Sequence, residues 1–316
     1  MADDRADVVL EHVLPKIQEK INSQTPGGSH RPFVLGVTGL QGSGKSHLAS
    51  ALTRTLCEKH KYNAIEVSLD DFYLPHDSRQ ELRISNPDNK LLSARGQPGT
   101  HDVKLAKEFF EQFGKAKSDD VWIPSFDKSL FRGDGDRLPR DQWRIVKGSV
   151  DVVIFEGWCV GFRPTDRSHV EKMQKAAIDI RNEDEKAGKS QTSEFSTSTL
   201  ADHDLAHLLW VNEQLDSYGR DFMGPQNFDF MVHLDTDDLK NVYVWRTQQE
   251  HALLEKKGSG MTDEQVVKFV QVYMPAYELY LDGLRRGFFS EIGDGNKTQI
   301  RLVMDVQRKV SKVDIL

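Results

Sequence analysis

A glycine-rich segment at residues 39–46 constrains the fold of this chain more than any other feature of its sequence. The segment reads Gly39, Leu40, Gln41, Gly42, Ser43, Gly44, Lys45 and Ser46. Its spacing is that of a P-loop, in which backbone N–H groups surround phosphate oxygens, Lys45 reaches the β- and γ-phosphates and Ser46 binds Mg²⁺. An apolar run at 33–38 precedes the segment and a helical pattern at 47–61 follows it. The sequence therefore predicts a strand, a loop and a helix that together bind a nucleoside triphosphate.

Short apolar runs recur along the chain and have the character of strands buried on both faces. They lie at 33–38, 64–69, 151–155, 228–234 and 299–304. Helical patterns lie between several of them, at 103–113, 203–217 and 262–286. Alternating strands and helices predict an α/β fold whose five-stranded, mostly parallel sheet is flanked by helices.

The chain outside these runs falls into regions of different composition. Residues 1–30 predict an N-terminal helix and a polar linker, and residues 31–316 form the domain that carries the P-loop. Segments 72–100 and 122–149 are rich in Pro, Gly, Asp and Arg, and long loops of this kind are usually functional. Segment 163–201 is rich in Glu, Lys, Ser and Thr, and we expect a helical start near 170–180 followed by a flexible insertion. Its protein partner, if it has one, is left open.

Charge and cysteine content narrow the class of protein. The net charge is −7, so nucleic acid and anionic membranes are not expected as partners. The two cysteines cannot form a disulfide framework, and no apolar run reaches 18 residues. The acidic N-terminus is unlike a signal or transit peptide. We expect a cytoplasmic protein, with the nucleus as an alternative location.

Acidic residues follow two of the predicted strands. Asp70 and Asp71 end the second strand, and Glu156 ends the third, directly before Gly157. Ligands in open α/β sheets bind at this edge, where a carboxylate can hold Mg²⁺ or orient an attacking hydroxyl. Such residues also end strands or cap helices, so the pattern alone leaves both roles open.

The two long loops collect charged residues in an acidic protein. These residues are Arg95, His101, Asp102, Asp127, Lys128, Arg132 and Arg137. The cations predict a site for an anionic group, either a carboxylate or phosphate of an acceptor or the ATP phosphates. Asp127 could instead hold an acceptor hydroxyl, and Tyr73 could form a wall of the pocket. Ion pairs with acids at 134, 136 and 141 are the alternative explanation for the cations.

Several motifs resemble a known kinase family. Ser68 to Tyr73 and Val153 to Trp158 resemble the strand-end motifs of the phosphoribulokinase, uridine kinase and pantothenate kinase family. A more specific set is similar to plant-type D-glycerate 3-kinase and its fungal kinase-like relatives. That set comprises 95–102 (RGQPGTHD), 124–129 (PSFDKS), 135–137, 155–158, 211–215, 245–250, 260–264 and 273–277.

The resemblance implies a P-loop kinase core like that of nucleoside monophosphate kinases, with ATP and Mg²⁺ as cofactors. It implies that Asp70 is the catalytic base, that Glu156 helps Ser46 and Asp70 to hold Mg²⁺, and that Lys45 stabilises the transferring group. It also implies a lid whose Arg246 guanidinium contacts the phosphoryl group. The expected acceptor is a small-molecule hydroxyl, as in D-glycerate 3-kinase, held by Tyr73, Arg95, His101, Asp127, Lys128 and Arg137.

Two other functions remain open from the sequence. The first is a kinase for another small acceptor, such as a nucleoside or a pantothenate-like molecule. The second is a P-loop ATPase regulated by a protein partner that contacts segment 163–201. The RGQPGTHD and FDKS motifs favour the D-glycerate-kinase-like function over the first, and the strand-end acids argue against the second.

Overall fold

The computed structural model describes residues 4–24, 31–114, 120–188, 195–258, 260–290, 293 and 297–316. The strands are β1 Phe33–Gly39, β2 Ala64–Ser68, β3 Val121–Ile123, β4 Phe126–Asp127, β5 Asp136–Arg137, β6 Arg144–Val146, β7 Val152–Gly157, β8 Phe230–Asp235, β9 Thr298–Met304 and β10 Val310–Ile315. The helices are α1 Asp4–Ser23, α2 Lys45–Glu58, α3 His76–Ser85, α4 Val103–Glu111, α5 Arg167–Lys186, α6 Leu205–Tyr218, α7 Lys240–Lys257, α8 Asp263–Gln271 and α9 Met274–Arg285.

The central sheet has the strand order β10-β9-β8-β1-β7-β2. Its five predicted strands are present and parallel to one another, so the predicted α/β fold is confirmed. Strands β1, β7 and β8 are buried along their whole length, because helices cover both faces of the sheet. The carboxyl ends of β1, β7 and β2 therefore meet at one edge, where the P-loop, Glu156 and Asp70 lie.

The sixth strand of this sheet was not predicted, and neither were α3 and the short strands β3–β6, which lie where long loops were expected. Strand β10 pairs antiparallel with β9 at the edge of the sheet. Its residues mix apolar with polar and charged types, and all six of them are at least partly exposed. An edge strand lacks the continuous apolar run by which the other five were identified.

The helix α1 belongs to the core. Val9, Val13 and Ile17 are fully buried on one face of it, and the helix lies against α2 and β1. The predicted helix at the N-terminus is therefore present and packed on the sheet. The predicted linker falls mostly on residues 25–30, which lie outside the described residues.

Two helical predictions differ in detail from the structure. Helix α5 continues to Lys186, past the predicted end near 180, and buries Val170 against the core. The predicted flexibility of the insertion falls partly on residues 189–194, outside the described residues. The predicted segment 262–286 is divided into α8 and α9, because Pro275 stands in the first turn of the second helix. No helix in the described ranges has the length and apolarity needed to cross a bilayer.

Candidate functional site

The P-loop connects β1 to the first residue of α2. Gly42 and Gly44 have φ angles of +76° and +88°, which favour glycine. A Cβ atom on Gly42 would lie 2.7 Å from the Cβ atom of Trp245, so a side chain at this position has no room. Helix α2 begins at Lys45, and its N-terminus therefore opens onto the loop as an anion site requires.

Side chains from distant segments hold the P-loop backbone from outside. Arg5 donates to the Ser43 carbonyl at 2.8 Å, and Arg308 donates to the Gly42 carbonyl at 2.6 Å. The Tyr277 hydroxyl accepts from the Gln41 N–H at 3.2 Å. These bonds fix the orientation of the loop's peptide units before any phosphate binds.

The predicted metal ligands Ser46 and Glu156 are in contact. The Ser46 hydroxyl donates to Glu156 Oε1 at 3.0 Å, while Glu156 Oε2 is buried without a hydrogen-bond partner in the structure. A buried carboxylate oxygen without a partner fits a bound cation. The described residues contain no group of three or more His, Cys, Asp or Glu side chains that could hold a metal. Mg²⁺ is commonly held by one or two protein ligands, water and phosphate oxygens, and the Ser46 hydroxyl and Glu156 carboxylate are oxygen ligands of that kind.

Asp70 lies in a short helical turn at the end of β2 and forms an ion pair. The distance from its Oδ2 to the Lys128 Nζ is 2.5 Å. Burial alone would raise the pKa of Asp70, but the Lys128 ammonium overcomes this effect, and with His101 and Lys45 nearby the pKa falls to about 2. The Asp70 carboxylate is therefore ionised at neutral pH.

The neighbouring Asp71 has a different environment. Its carboxylate accepts from the Ser68 N–H at 3.1 Å and so closes the start of the same turn. Burial, with the Asp70 charge as a further cause, raises the pKa of Asp71 to about 6. The two adjacent acids thus have opposite pKa shifts, and Asp70 is the one that pairs with a loop cation.

The RGQPGTHD segment is a rigid scaffold. Gly96 and Gly99 have φ angles of +134° and +95°, and a Cβ atom on either would lie within about 2 Å of Tyr273 or Trp210. The Gly96 carbonyl accepts from the Trp158 indole at 2.9 Å. Gln97 also donates to the carbonyl of Val272 at 2.7 Å, at the break between α8 and α9. These contacts place His101 at the site.

His101 is buried beside the Asp70 carboxylate. Its ring stacks on Tyr73 with centroids 4.5 Å apart, and Tyr73 is buried as well. The His101 Nδ1 atom is 2.8 Å from the Tyr218 hydroxyl, while Nε2 is buried with no hydrogen-bond partner in the structure. Burial lowers the pKa of His101 to about 4, so the ring is neutral at pH 7.

Two predicted acceptor ligands bind loop atoms. Arg95 donates to the carbonyls of Gly133 and Asp134, at 2.5 and 2.9 Å. Arg137 donates to the Asp102 carboxylate at 3.0 Å and also to the Tyr73 carbonyl. Both guanidiniums therefore hold the two long loops together. The structure pairs Arg137 with Asp102 and not with the nearby acids that the sequence suggested.

Asp127 and Lys128 have distinct places in the same turn. The Asp127 carboxylate accepts from the N–H and hydroxyl of Ser129, at 2.8 and 2.6 Å. This turn directs Lys128 toward Asp70. In the structure Asp127 thus shapes the loop, and Lys128 is the residue of the pair that reaches the strand-end acid.

Arg246 lies on α7, next to the P-loop. Its guanidinium is 2.7 Å from the buried Glu250 carboxylate and stacks over the Phe269 ring of α8. Glu250 also accepts from the Met261 N–H at 2.9 Å, which ties α7 to the start of α8. The predicted lid arginine is therefore near the phosphate site but paired with Glu250.

Several residues of the site were not identified from the sequence. They are Arg5, Trp210, Tyr218 and Arg308. Glu250 belongs to the 245–250 motif, but the sequence assigned it no role. Tyr218 lies 117 residues from His101, and no spacing pattern connects such distant positions.

The parallel sheet, the P-loop, the Ser46–Glu156 pair and the strand-end Asp70 define a P-loop kinase. No protein-family model matches the chain. Curated relatives include the "Uncharacterized kinase mug58" of Schizosaccharomyces pombe, which is 40% identical over 276 residues, 87% of this chain and 90% of the relative. The "Probable ATP-dependent kinase TDA10" of Saccharomyces cerevisiae is 36% identical over 289 residues, covering 90% and 89%.

Similarity extends to D-glycerate 3-kinases. The solved structure of D-glycerate 3-kinase from Cryptococcus neoformans has a TM-score of 0.83 and 31% identity, covering 99% of this chain and 100% of that one. The chloroplastic D-glycerate 3-kinase of Arabidopsis thaliana is 32% identical over 280 residues, and this chain spans 53% of its length. The chain belongs to this family of fungal and plant P-loop kinases, as the motifs of its sequence predicted.

Proposed function

We propose that the protein transfers the γ-phosphoryl group of ATP, with Mg²⁺, to a hydroxyl of D-glycerate. The observation that carries the proposal is the ionised Asp70, held by Lys128 at the sheet edge that also presents Lys45 and the Ser46–Glu156 pair. Relatives that act on D-glycerate support the choice of acceptor.

The P-loop side of the site would bind the nucleotide. Loop N–H groups and Lys45 contact the β- and γ-phosphates, and Ser46 and Glu156 are the residues that would hold Mg²⁺. When bound, Mg²⁺ neutralises charge on the phosphate oxygens. Arg246 reaches the transferring group only if it exchanges Glu250 for a phosphate oxygen, so we assign its role to the closed, substrate-bound state.

Asp70 would orient the acceptor hydroxyl. A carboxylate with a pKa near 2 is a weak base, so it accepts the proton late, after most of the bond to the leaving group has broken. This timing suits the loose transition state of phosphoryl transfer. Lys128 and the neutral His101 would contact the acceptor's carboxylate, whose negative charge matches the local cations.

The test is ADP release with Mg²⁺-ATP and a panel of acceptors, with D-glycerate compared with nucleosides and pantothenate. We expect strong acceleration by D-glycerate, its loss in Lys45→Ala, and a fall in kcat of at least about 100-fold in Asp70→Asn. Asp71→Asn is the matched control, because Asp71 has the same chemistry but faces Ser68, and its kcat should stay within about tenfold of the native value.

The panel separates the alternatives. Acceleration by a nucleoside or pantothenate alone would retain the kinase and overturn D-glycerate as the acceptor. ATP hydrolysis that no acceptor stimulates would refute the proposal and favour the partner-regulated ATPase. Near-native turnover in Asp70→Asn would remove Asp70 from the mechanism.

A further inference from the structure

The Tyr218 hydroxyl has three polar neighbours, of which two are backbone N–H donors and one is a ring nitrogen of His101. The backbone N–H groups of Gly99 and His101 lie 2.7 and 3.3 Å from the hydroxyl oxygen, and the His101 Nδ1 atom lies 2.8 Å from it. Tyr218 is fully buried, so this set of contacts is closed to water.

These three contacts admit one arrangement of hydrogens. A backbone N–H can only donate, so Gly99 and His101 use both acceptor positions of the Tyr218 oxygen. The single hydroxyl hydrogen must then be donated to His101 Nδ1, which acts as an acceptor. A neutral imidazole has one ring hydrogen, and here it must reside on Nε2.

We propose that Tyr218 is a positioning residue that fixes His101 as its neutral Nε2–H tautomer, so that the acceptor site contains one preset hydrogen-bond donor. The His101 Nε2 atom is buried and has no partner in the structure, and it belongs to a ring that stacks on Tyr73 next to Asp70. Buried donors are nearly always bonded, so an unpartnered one at a site is explained by a ligand oxygen that completes it.

The His101 Nε2–H group favours one kind of phosphoryl acceptor over another, and this inference rests on the proposed function. A neutral N–H group favours an oxygen that only accepts, such as a carboxylate, over a group that must itself donate. It also leaves Asp70 as the group that accepts from the reacting hydroxyl. The Nδ1–H tautomer would present a lone pair to the acceptor and would repel its carboxylate.

The tautomer can be read without turnover, by ¹⁵N NMR of the imidazole rings in the unliganded full-length protein. The chain has 11 histidines, and a difference spectrum with His101→Gln assigns the resonances of His101. We expect the native protein to carry the hydrogen on Nε2, and Tyr218→Phe to shift His101 toward a mixture of tautomers. A native Nδ1–H signal, or an unchanged spectrum in Tyr218→Phe, would overturn the proposal.

Kinetics distinguish positioning from a general loss of structure. Tyr218→Phe should raise the KM for D-glycerate roughly three- to tenfold, with the KM for ATP unchanged, because one neutral hydrogen bond is misdirected. His101→Gln places an amide N–H near the Nε2 position and removes the imidazole tautomers. In the His101→Gln background, Tyr218→Phe should therefore have no further effect on the KM for D-glycerate. An equal effect in both backgrounds would assign Tyr218 a structural role only and refute the proposal.

A matched control is Tyr280→Phe, because the Tyr280 hydroxyl is buried but has no hydrogen-bond partner in the structure. It should leave both KM values and the His101 spectrum unchanged. If Tyr218→Phe does not fold, the native spectrum alone decides the tautomer. If D-glycerate is not phosphorylated while the native tautomer is Nε2–H, the proposed acceptor fails and the tautomer assignment stands.

Discussion

Replacement of Lys128 by methionine tests whether the loop cation keeps Asp70 ionised. The substitution retains most of the side-chain length but removes the charge that lies 2.5 Å from Asp70. Burial then acts on the carboxylate with only His101 and Lys45 to oppose it, so the pKa of Asp70 should rise from about 2 toward its ordinary value.

The magnitude follows from the native pKa. A fall from 3.8 to about 2 is nearly two pKa units, or about 2 kcal/mol of stabilisation of the ionised form. Because the Lys128 side chain is 56% exposed, solvent screening reduces this figure, and we expect a loss of about 1–2 kcal/mol in the free energy of unfolding. The folded-state pKa of Asp70 is lowered, so this stability is fully present above about pH 4 and is lost as the pH falls toward 2.

Urea-induced unfolding at a series of pH values measures the effect. The difference between native protein and Lys128→Met should be constant near pH 7 and should narrow below about pH 4. Lys147→Met is the matched control, because Lys147 also lies 2.5 Å from an aspartate, Asp120, but at a more exposed position. This variant should lower the free energy of unfolding by less than about 0.5 kcal/mol. Equal losses in the two variants, or a difference independent of pH, would refute the assignment of Lys128.

Three further predictions concern other parts of the site. Glu156→Gln should raise the Mg²⁺ concentration needed for half-maximal rate by at least about tenfold, and an unchanged Mg²⁺ titration would exclude Glu156 as a ligand. Gly99→Ala should lower the free energy of unfolding by about 2–3 kcal/mol, because its Cβ would lie 2.1 Å from Trp210. Gly148 also has a positive φ but has open space around it, so Gly148→Ala should lower the free energy of unfolding by less. Thermal unfolding that shows equal costs for the two variants would contradict the steric argument. Arg5→Ala should raise the KM for ATP roughly three- to tenfold without changing the KM for the acceptor, and an unchanged KM for ATP would show that α1 does not support the P-loop.

Local sequence signals predicted the parts of the fold that depend on neighbouring residues. The apolar runs of β1 and β7 indicated buried strands, and the glycines of the P-loop indicated its function through the conformations they permit. The edge strand β10 was missed because its mixture of apolar and polar residues is a weaker signal than a continuous apolar run. The break between α8 and α9 has a local signal in Pro275. The hydrogen bond from Gln97 to the Val272 carbonyl at this break depends on the fold.

Arginine roles were the least predictable part of the site. Arg95 and Arg137 were expected to bind the acceptor, and this stays a prediction. In the structure Arg95 donates to two loop carbonyls, and Arg137 donates to the Asp102 carboxylate and the Tyr73 carbonyl. A guanidinium makes the same bonds to a ligand oxygen and to a protein oxygen, so composition cannot tell the two apart. Only the path of the surrounding backbone decides which oxygens are within reach.

The sequence by itself determined the class of fold, because apolar runs alternate with helical patterns along the chain. It also determined the nucleotide-binding loop and the strand-end acids, because each of these lies within a few consecutive residues. Tertiary structure alone decided that Lys128 meets Asp70 across 58 residues, and that Tyr218 meets His101 across 117. Contacts over such distances depend on the order of strands in the sheet and on how the long loops fold over its edge. Burial then changes the chemistry of the groups that meet there, so the ionised Asp70 and the neutral His101 are properties of the folded protein.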